Sequence, residues 1–259
     1  CRCDSGRMEI NMEYPYQHKT SFYKEGRLGY SEKAVQLITD LVPSLHSVIA
    51  DIGSGTGIFS SALLEKGYIV YGVEPNSELQ KKAKSYLYQY KRFFPVDAFA
   101  ENTALPDCSM DAITVASAFH WLKASPFLYE CRRILKPEAY VFLLYNVRQT
   151  DDMFSQKQAC ICKRYCPGFF SFSHGAEKAK QRCSAFFVNG YEERLYSHNL
   201  VYTEEQFLSR CMSSSYSLNQ TQKDYILYKQ ELENLIAEYS KENLITIHNQ
   251  TAVWYGKVK

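Results

Sequence analysis

The sequence predicts an α/β fold: a mostly parallel sheet with helices covering both faces. Three observations predict it. Strand-like and helix-like apolar patterns alternate from residue 31 to residue 145. The strand-like runs are nearly continuous in apolar residues, as strands buried on both faces require. A glycine-rich turn joins the first strand to the next helix, where a helix N-terminus offers unpaired N–H groups. Strands separated by helices imply right-handed βαβ units and hence a parallel sheet.

The elements follow in order. Ser31 is placed to N-cap a helix bearing Ala34, Val35, Ile38, Leu41 and Val42, and Pro43 ends it. Ser47–Asp51 reads as a short buried strand. Ile58–Lys66 reads as a helix with Gly67 as its stop. Tyr68–Val73 is the second strand, and Asn76 or Ser77 caps a helix running to about Tyr90. Phe93–Val96 and Asp111–Ala116 are the third and fourth strands. Ser125-Pro126 sets a cap with proline at the first helical position, opening a helix to about Leu135. Ala139–Tyr145 is the fifth strand. Beyond Asn146 the alternation weakens, and residues from about 150 to 190 read as helical, aromatic and cysteine-containing. Glu192–Tyr202 reads as one strand, Thr203 caps a helix through Cys211, and Asp224–Tyr239 is helical. Leu244–His248 and Ala252–Val258 supply the last strand or strand pair. No repeat or low-complexity linker interrupts the chain, so one domain over 1–259 is expected, with a helical insertion at about 147–190.

Composition bounds the function. The 259 residues are 46% hydrophobic, enough for a substantial core. No apolar run reaches the roughly 18 residues of a membrane span, so no membrane partner is expected. Residues 1–20 read as an N-terminal extension. Within it, Cys1–Arg7 read as a leader without an apolar signal segment, and Met8 and Met12 are both suited as starts. A net charge of +2 supplies no field that demands nucleic acid. The nine cysteines follow no disulfide framework, so reduced thiols in a cytoplasmic protein are expected, as a monomer or homodimer. Aromatic residues, many of them after residue 150, line either a pocket or a core.

The chemistry centres on Asp51-Ile52-Gly53-Ser54-Gly55-Thr56-Gly57. Glycines at 53, 55 and 57 let a ligand approach the backbone. The dinucleotide fingerprint G-x-G-x-x-G requires glycine at position 58, where this chain has Ile58. Asp51 at the strand tip would repel a pyrophosphate and suits a cationic ligand. Glu74, at the end of the second strand, is placed to accept both hydroxyls of a ribose.

The run Asp51–Gly57 followed by Val73-Glu74-Pro75 resembles the first two motifs of class I S-adenosylmethionine (SAM)-dependent methyltransferases. The resemblance continues through Ala100-Glu101, Leu105-Pro106-Asp107, Met110–Val115 and Leu135-Lys136-Pro137. It covers about residues 20–145. Ala118-Phe119-His120-Trp121 resembles the AFHW motif of the type 11-like, small-molecule branch, and Tyr23–Ser31 resembles that branch's N-terminal motif. The resemblance implies a Rossmann-like, seven-stranded, mostly parallel sheet, SAM as cofactor with S-adenosylhomocysteine as product, and a small-molecule acceptor. It implies that Gly53, Ser54, Gly55 and Gly57 pack on the methionine part of SAM, with Asp51 organising the loop and the bound amino group. Glu74 with Pro75 would hold the ribose, Phe99 and Ala100 would lie beside the adenine, and Ser117 near the methionyl group. Arg27 would meet the SAM carboxylate or lie on the surface. The chain departs from the pattern at Leu28, where relatives have proline, at Glu138-Ala139 in place of two glycines, and at Phe99, where many relatives have aspartate. The adenine amino group would then fall to backbone or to Asp97.

A sulfonium leaves readily, so alignment and water exclusion are the main catalytic tasks. His120 is the best-placed titratable residue, either as a base or as a wall residue packed with Trp121. Cys160, Cys162 and Cys166, with Cys183 beyond, do not match zinc spacing, and no metal is expected. Methyl transfer to a small carboxylate, hydroxyl or amine is the expected function, under a lid formed by residues about 147–190 and the helices near 203–239. An NAD(P)-linked oxidoreductase and a non-catalytic SAM-binding module are the alternatives.

Overall fold

A computed structural model describes residues 29–43 and 46–259 of the chain. The elements run α1 (Glu32–Leu41), β1 (Val48–Ile52), α2 (Ile58–Glu65), β2 (Ile69–Val73), α3 (Ser77–Tyr86), β3 (Phe93–Val96), β4 (Met110–Ala116), a 3-10 turn (Phe119–Trp121), α4 (Ala124–Ile134) and β5 (Leu135–Arg148). Then come α5 (Met153–Tyr165), α6 (His174–Phe186), β6 (Glu192–Ser197), β7 (Leu200–Thr203), α7 (Glu204–Met212), α8 (Tyr225–Tyr239), β8 (Leu244–Ile247) and β9 (Asn249–Lys257).

Seven strands form one sheet in the order β3-β2-β1-β4-β5-β9-β6. The pairs β1–β2, β1–β4, β2–β3 and β4–β5 are parallel, and β9 alone runs against its two neighbours. The pleat divides the strands between two cores. Ile49, Ala112, Phe142 and Val253 meet α1 and α2 on one face, together with Ile38, Phe59 and Leu63. Their neighbours Ala50, Ile113, Leu143 and Trp254 meet α4 and α6 on the other, together with Phe127, Cys131, Cys183 and Phe186. Successive strand residues point to opposite faces, and both faces are covered, so the strands read as continuous apolar runs. Sheet growth reverses between β1 and β4, which opens a crevice at their carboxyl ends.

A third core lies outside the sheet. Phe154, Ile161, Cys162 and Cys166 of α5 and the segment after it pack with Phe207 and Cys211 of α7, Tyr228 and Leu232 of α8, and Tyr202 and Ile245 of the two-stranded β7–β8 sheet. This cap differs from the predicted insertion over 147–190. Helix α6 belongs to the main sheet, so Cys183 lies in a different core from Cys162 and Cys166. Cys160 is exposed while Cys162 is buried, as neighbours two apart on a helix must be.

Several boundaries correct the sequence reading. Glu192–Tyr202 is two strands in different sheets, because the chain leaves the main sheet at His198 and enters the cap at Leu200. Leu244–Ile247 likewise pairs in the cap, and only β9 returns to the main sheet. Helix α3 stops at Tyr86, short of Tyr90, although Asn76 caps it as expected by accepting from the Glu78 and Leu79 N–H groups. Helix α4 starts at Ala124, so Pro126 falls third in the helix, where a missing N–H still costs nothing. Ser31 makes no side-chain cap; its N–H instead donates to Thr251 Oγ1 at 2.9 Å. Thr203 and Gln206 form a reciprocal capping box at α7.

Glu130 ties α4 to the loop before β4. Its carboxylate accepts from the Thr103 N–H and hydroxyl at 2.7 and 2.6 Å and from Arg133 at 2.7 and 2.9 Å. Burial works against the charge, but these donors outweigh it and hold the pKa at about 2. A depressed carboxylate pKa stabilises the fold above the unfolded value and is lost in acid. Glu130→Gln should therefore cost about 1–3 kcal/mol at neutral pH. Denaturant melts should show the gap to wild type closing as pH falls from 4.5 towards 2.

Candidate active site

The site is built at the tip of β1. Asp51 is opposite Thr114 on β4 and Gly72 on β2. Its carboxylate accepts from Ser60 Oγ on α2 at 2.6 Å and from Thr114 Oγ1 at 2.9 Å. The side chain is 0% exposed. Desolvation pushes its pKa up to about 6, against the two hydroxyl bonds, and the charge of Glu74 adds to the rise.

Glu74 follows β2 and supports the loop from behind. Its Oε2 accepts the Gly55 N–H at 3.1 Å and its Oε1 the Asn76 N–H at 2.9 Å. Burial raises its pKa, with the two N–H bonds opposing. Neither carboxylate forms an ion pair with a described Lys, Arg or His. Two buried carboxylates thus flank one loop without a described counter-cation, a potential that attracts cations and repels pyrophosphate.

The loop's backbone explains its glycines. Gly53, Gly55 and Gly57 have φ of +66°, +56° and +84°, a region that side chains disfavour. The Gly53 and Ser54 N–H groups both donate to Val73 O, closing the turn onto β2. A Cβ on Gly53 would lie 2.6 Å from Ala118 Cβ, and one on Gly57 2.6 Å from Leu87 Cδ1. Thr56 lines the cleft, and its Oγ1 is buried with no hydrogen-bond partner among the described residues.

A cleft begins at this loop. Asp51, Gly53, Ser54, Gly55, Thr56 and Ser117 line its first part. Ser117 sits just beyond β4 at φ +55° and accepts the Tyr30 hydroxyl at 2.9 Å; Tyr30 in turn packs edge-on against Phe59. The second part runs between the tip of β5 and the cap. Glu74 and Gly57 support the loop from outside this lining. Pro75 is half-buried, Ala100 is buried in the main core, and Phe99 is 50% exposed in the segment after β3. Asp97 is exposed. Arg27 lies outside the described residues.

His120 is not part of the cleft lining. The Tyr145 hydroxyl accepts its backbone N–H at 3.0 Å and lies 2.9 Å from its Nδ1. Its ring lies 4.6 Å from that of Trp121, tilted by 43°, and a Cβ on Gly175 of α6 would come within 2.8 Å of it. Arg182 of α6 clamps the same 3-10 turn by donating to Phe119 O at 3.0 Å and to Leu122 O.

Sequence reasoning missed the other half of the cleft. Tyr30, Asn146, Arg148, Tyr202, Arg210 and Tyr216 all line it. Tyr30 carried a signal as part of the N-terminal motif, and Tyr202 and Tyr216 belong to the aromatic set after residue 150; the others have no spacing pattern, because separate elements bring them together.

Residues 50–143 match the family model described as a methyltransferase domain. An uncharacterized methyltransferase of Mycobacterium tuberculosis is 30% identical over 138 residues, 53% of this chain and 54% of that protein. An uncharacterized methyltransferase-like protein of Schizosaccharomyces pombe is 29% identical over 160 residues, 58% of this chain and 59% of its own. The chain thus spans about half the length of the curated relatives it matches. The fold is also that of a candidate type II methyltransferase from Anaeromyxobacter dehalogenans, with a TM-score of 0.68 and 18% identity over 90% of this chain and 98% of the other. Residues 50–143 are thus similar to a methyltransferase domain, and the seven-stranded α/β sheet has a methyltransferase fold.

The raised pKa of Asp51 has a sign that can be tested. A carboxylate whose folded pKa exceeds its unfolded value favours the folded state in acid, and that stability is lost as pH rises from about 4 through about 6. A rise to about 6 corresponds to a cost on the order of 3 kcal/mol above that window. Relative to wild type, Asp51→Asn should therefore gain unfolding free energy between pH 4 and 7, measured by denaturant melts at each pH. A constant difference across that range would contradict the burial of a charged Asp51.

Proposed function

We propose that the protein transfers a methyl group from SAM to a small-molecule acceptor. The pair of buried carboxylates, Asp51 and Glu74, around a loop too crowded for side chains carries this reading. SAM is a cation at both its sulfonium and its ammonium, whereas a nicotinamide dinucleotide would bring a pyrophosphate against two carboxylates. The residues fit the cofactor. Gly53, Ser54 and Gly55 offer close backbone, Thr56 Oγ1 at the loop has no partner among the described residues, and Asp51 and Ser117 border the same cleft.

When bound, SAM supplies an activated methyl group on a sulfonium leaving group. The chain's own residues bind, align and exclude water. Asp51 is fixed by Ser60 and Thr114, so its charge favours the ammonium without reorganising. Glu74 remains the residue for the ribose, with Pro75 fixing the chain after it; Phe99 and Ala100 remain candidates for the adenine side. Ser117, held by Tyr30, marks where the methionyl part meets the acceptor part of the cleft. His120 is a wall residue in this reading. Its Nδ1 is engaged by Tyr145 and its ring is packed on Trp121 and Gly175, so it fixes the 3-10 turn at the cleft's flank rather than removing a proton. The cap over β5 serves as the lid.

Calorimetric titration with SAM, S-adenosylhomocysteine and NAD tests the proposal. Micromolar binding of the first two, weakened at least tenfold by Glu74→Ala and by Asp51→Ala, is expected. Binding of NAD alone by folded protein would overturn it.

A further inference from the structure

Among the described residues that line the far half of the cleft, two are cations and none is acidic. Arg148 is the last residue of β5, and Arg210 lies on α7 of the cap; both line the cleft. The Arg148 guanidinium is held by neutral groups. Its Nε and Nη2 donate to Ser155 Oγ at 3.2 and 2.9 Å, its Nη1 donates to Gln158 Oε1 at 2.6 Å, and the Phe172 ring lies 4.1 Å from its Cζ. Each terminal nitrogen keeps an N–H beyond these bonds. Asp152 is linked to it through the Ser155 hydroxyl, which donates to the Asp152 carboxylate at 2.6 Å. Arg210 donates to Ser214 Oγ at 2.9 Å. Neither arginine forms an ion pair with a described carboxylate.

A desolvated guanidinium without a counter-charge is costly, and two facing one cleft repel each other. Burial lowers the pKa of Arg148, with Cys211, Tyr216 and Asp152 opposing, and the charge of Arg210 adds a smaller push downward. An arrangement of this kind gains most from an anion placed between the two cations. Planar guanidinium groups match a carboxylate in particular. Phe172, Tyr202, Phe207 and Tyr216 supply aromatic walls, beside the aliphatic Leu200 and Ile247 and the neutral polar Asn146 and Asn249.

We propose that Arg148 and Arg210 form the acceptor-anchoring subsite, and that the acceptor is a small molecule carrying a carboxylate on an apolar or aromatic body. The proposal rests on the methyltransferase reading: the anchor holds the acceptor at the far end of a cleft whose near end is the SAM loop. It also divides labour by charge. Carboxylates of the sheet face the cationic cofactor, and arginines of β5 and the cap face the anionic acceptor.

The test uses the full chain saturated with S-adenosylhomocysteine. Phenylacetate and octanoate are titrated beside phenylacetamide and octanamide, with melting temperature and calorimetry as readouts. The expected result is stabilisation by a carboxylate but not by its amide. Arg210→Gln and Arg148→Gln should each weaken that binding at least tenfold, with S-adenosylhomocysteine affinity unchanged. Arg210 is only partly buried and makes one side-chain bond, so its variant keeps the test valid if Arg148→Gln folds poorly. Equal effects of acid and amide, no response to either carboxylate, or carboxylate binding that survives in Arg210→Gln would overturn the proposal. A fall in S-adenosylhomocysteine affinity in Arg210→Gln would also overturn it, by assigning that arginine to the cofactor. Failure of wild type to bind S-adenosylhomocysteine would instead overturn the methyltransferase reading, and the proposal with it.

Discussion

The buried charge of Asp51 is the constraint on which the site depends. A carboxylate with no solvent and no described cation beside it is held in place by two hydroxyls from different elements, Ser60 on α2 and Thr114 on β4. That geometry exists only because β4 pairs with β1 in the register that sets Thr114 against Asp51. It also needs α2 to begin immediately after the glycine loop, which the positive φ of Gly57 allows. Glu74 then adds a second carboxylate at the tip of the neighbouring strand and pins the loop through the Gly55 N–H. The order of strands at the sheet's switch point is therefore also the order of charges around the cleft.

The cap completes what the sheet leaves open. Its core is separate from the two cores of the sheet, yet its inner surface supplies Arg210 and several aromatic walls of the cleft. Arg148 links the two bodies. It ends a sheet strand but bonds to Ser155 and Gln158 of the cap's first helix. A ligand bridging the near and far ends of the cleft would contact both bodies.

The sheet was legible in the sequence because its strands are buried on both faces and its helices carry clear punctuation. Asn76, Gly67 and the glycine loop each mark a boundary by local chemistry, and those boundaries held. The near half of the cleft was legible for the same reason, since a loop closed on itself must be contiguous in the chain. The cap was only partly legible. Glu192–Tyr202 reads as one strand by composition, but a change of sheet at His198 is a tertiary event without a local signal. The assignment of α6 to the main sheet and α5 to the cap depends on which apolar face meets which core, and both helices have similar patterns. Arg148 and Arg210 are 62 positions apart, on a strand and a helix of different bodies, so no spacing rule points to their shared cleft.

Proton linkage on cofactor binding tests the central role of Asp51 most directly. With its pKa raised to about 6 in the free protein, Asp51 is about half protonated at that pH, and an ammonium placed beside it would drive that proton off. Calorimetry of S-adenosylhomocysteine binding in buffers of different ionisation enthalpy should report release of roughly half a proton at pH 6. That release should vanish at pH 8 and in Asp51→Asn. Tight binding at pH 6 with no proton released, or the same release from Asp51→Asn, would contradict the role of this buried carboxylate as the cofactor's counter-charge.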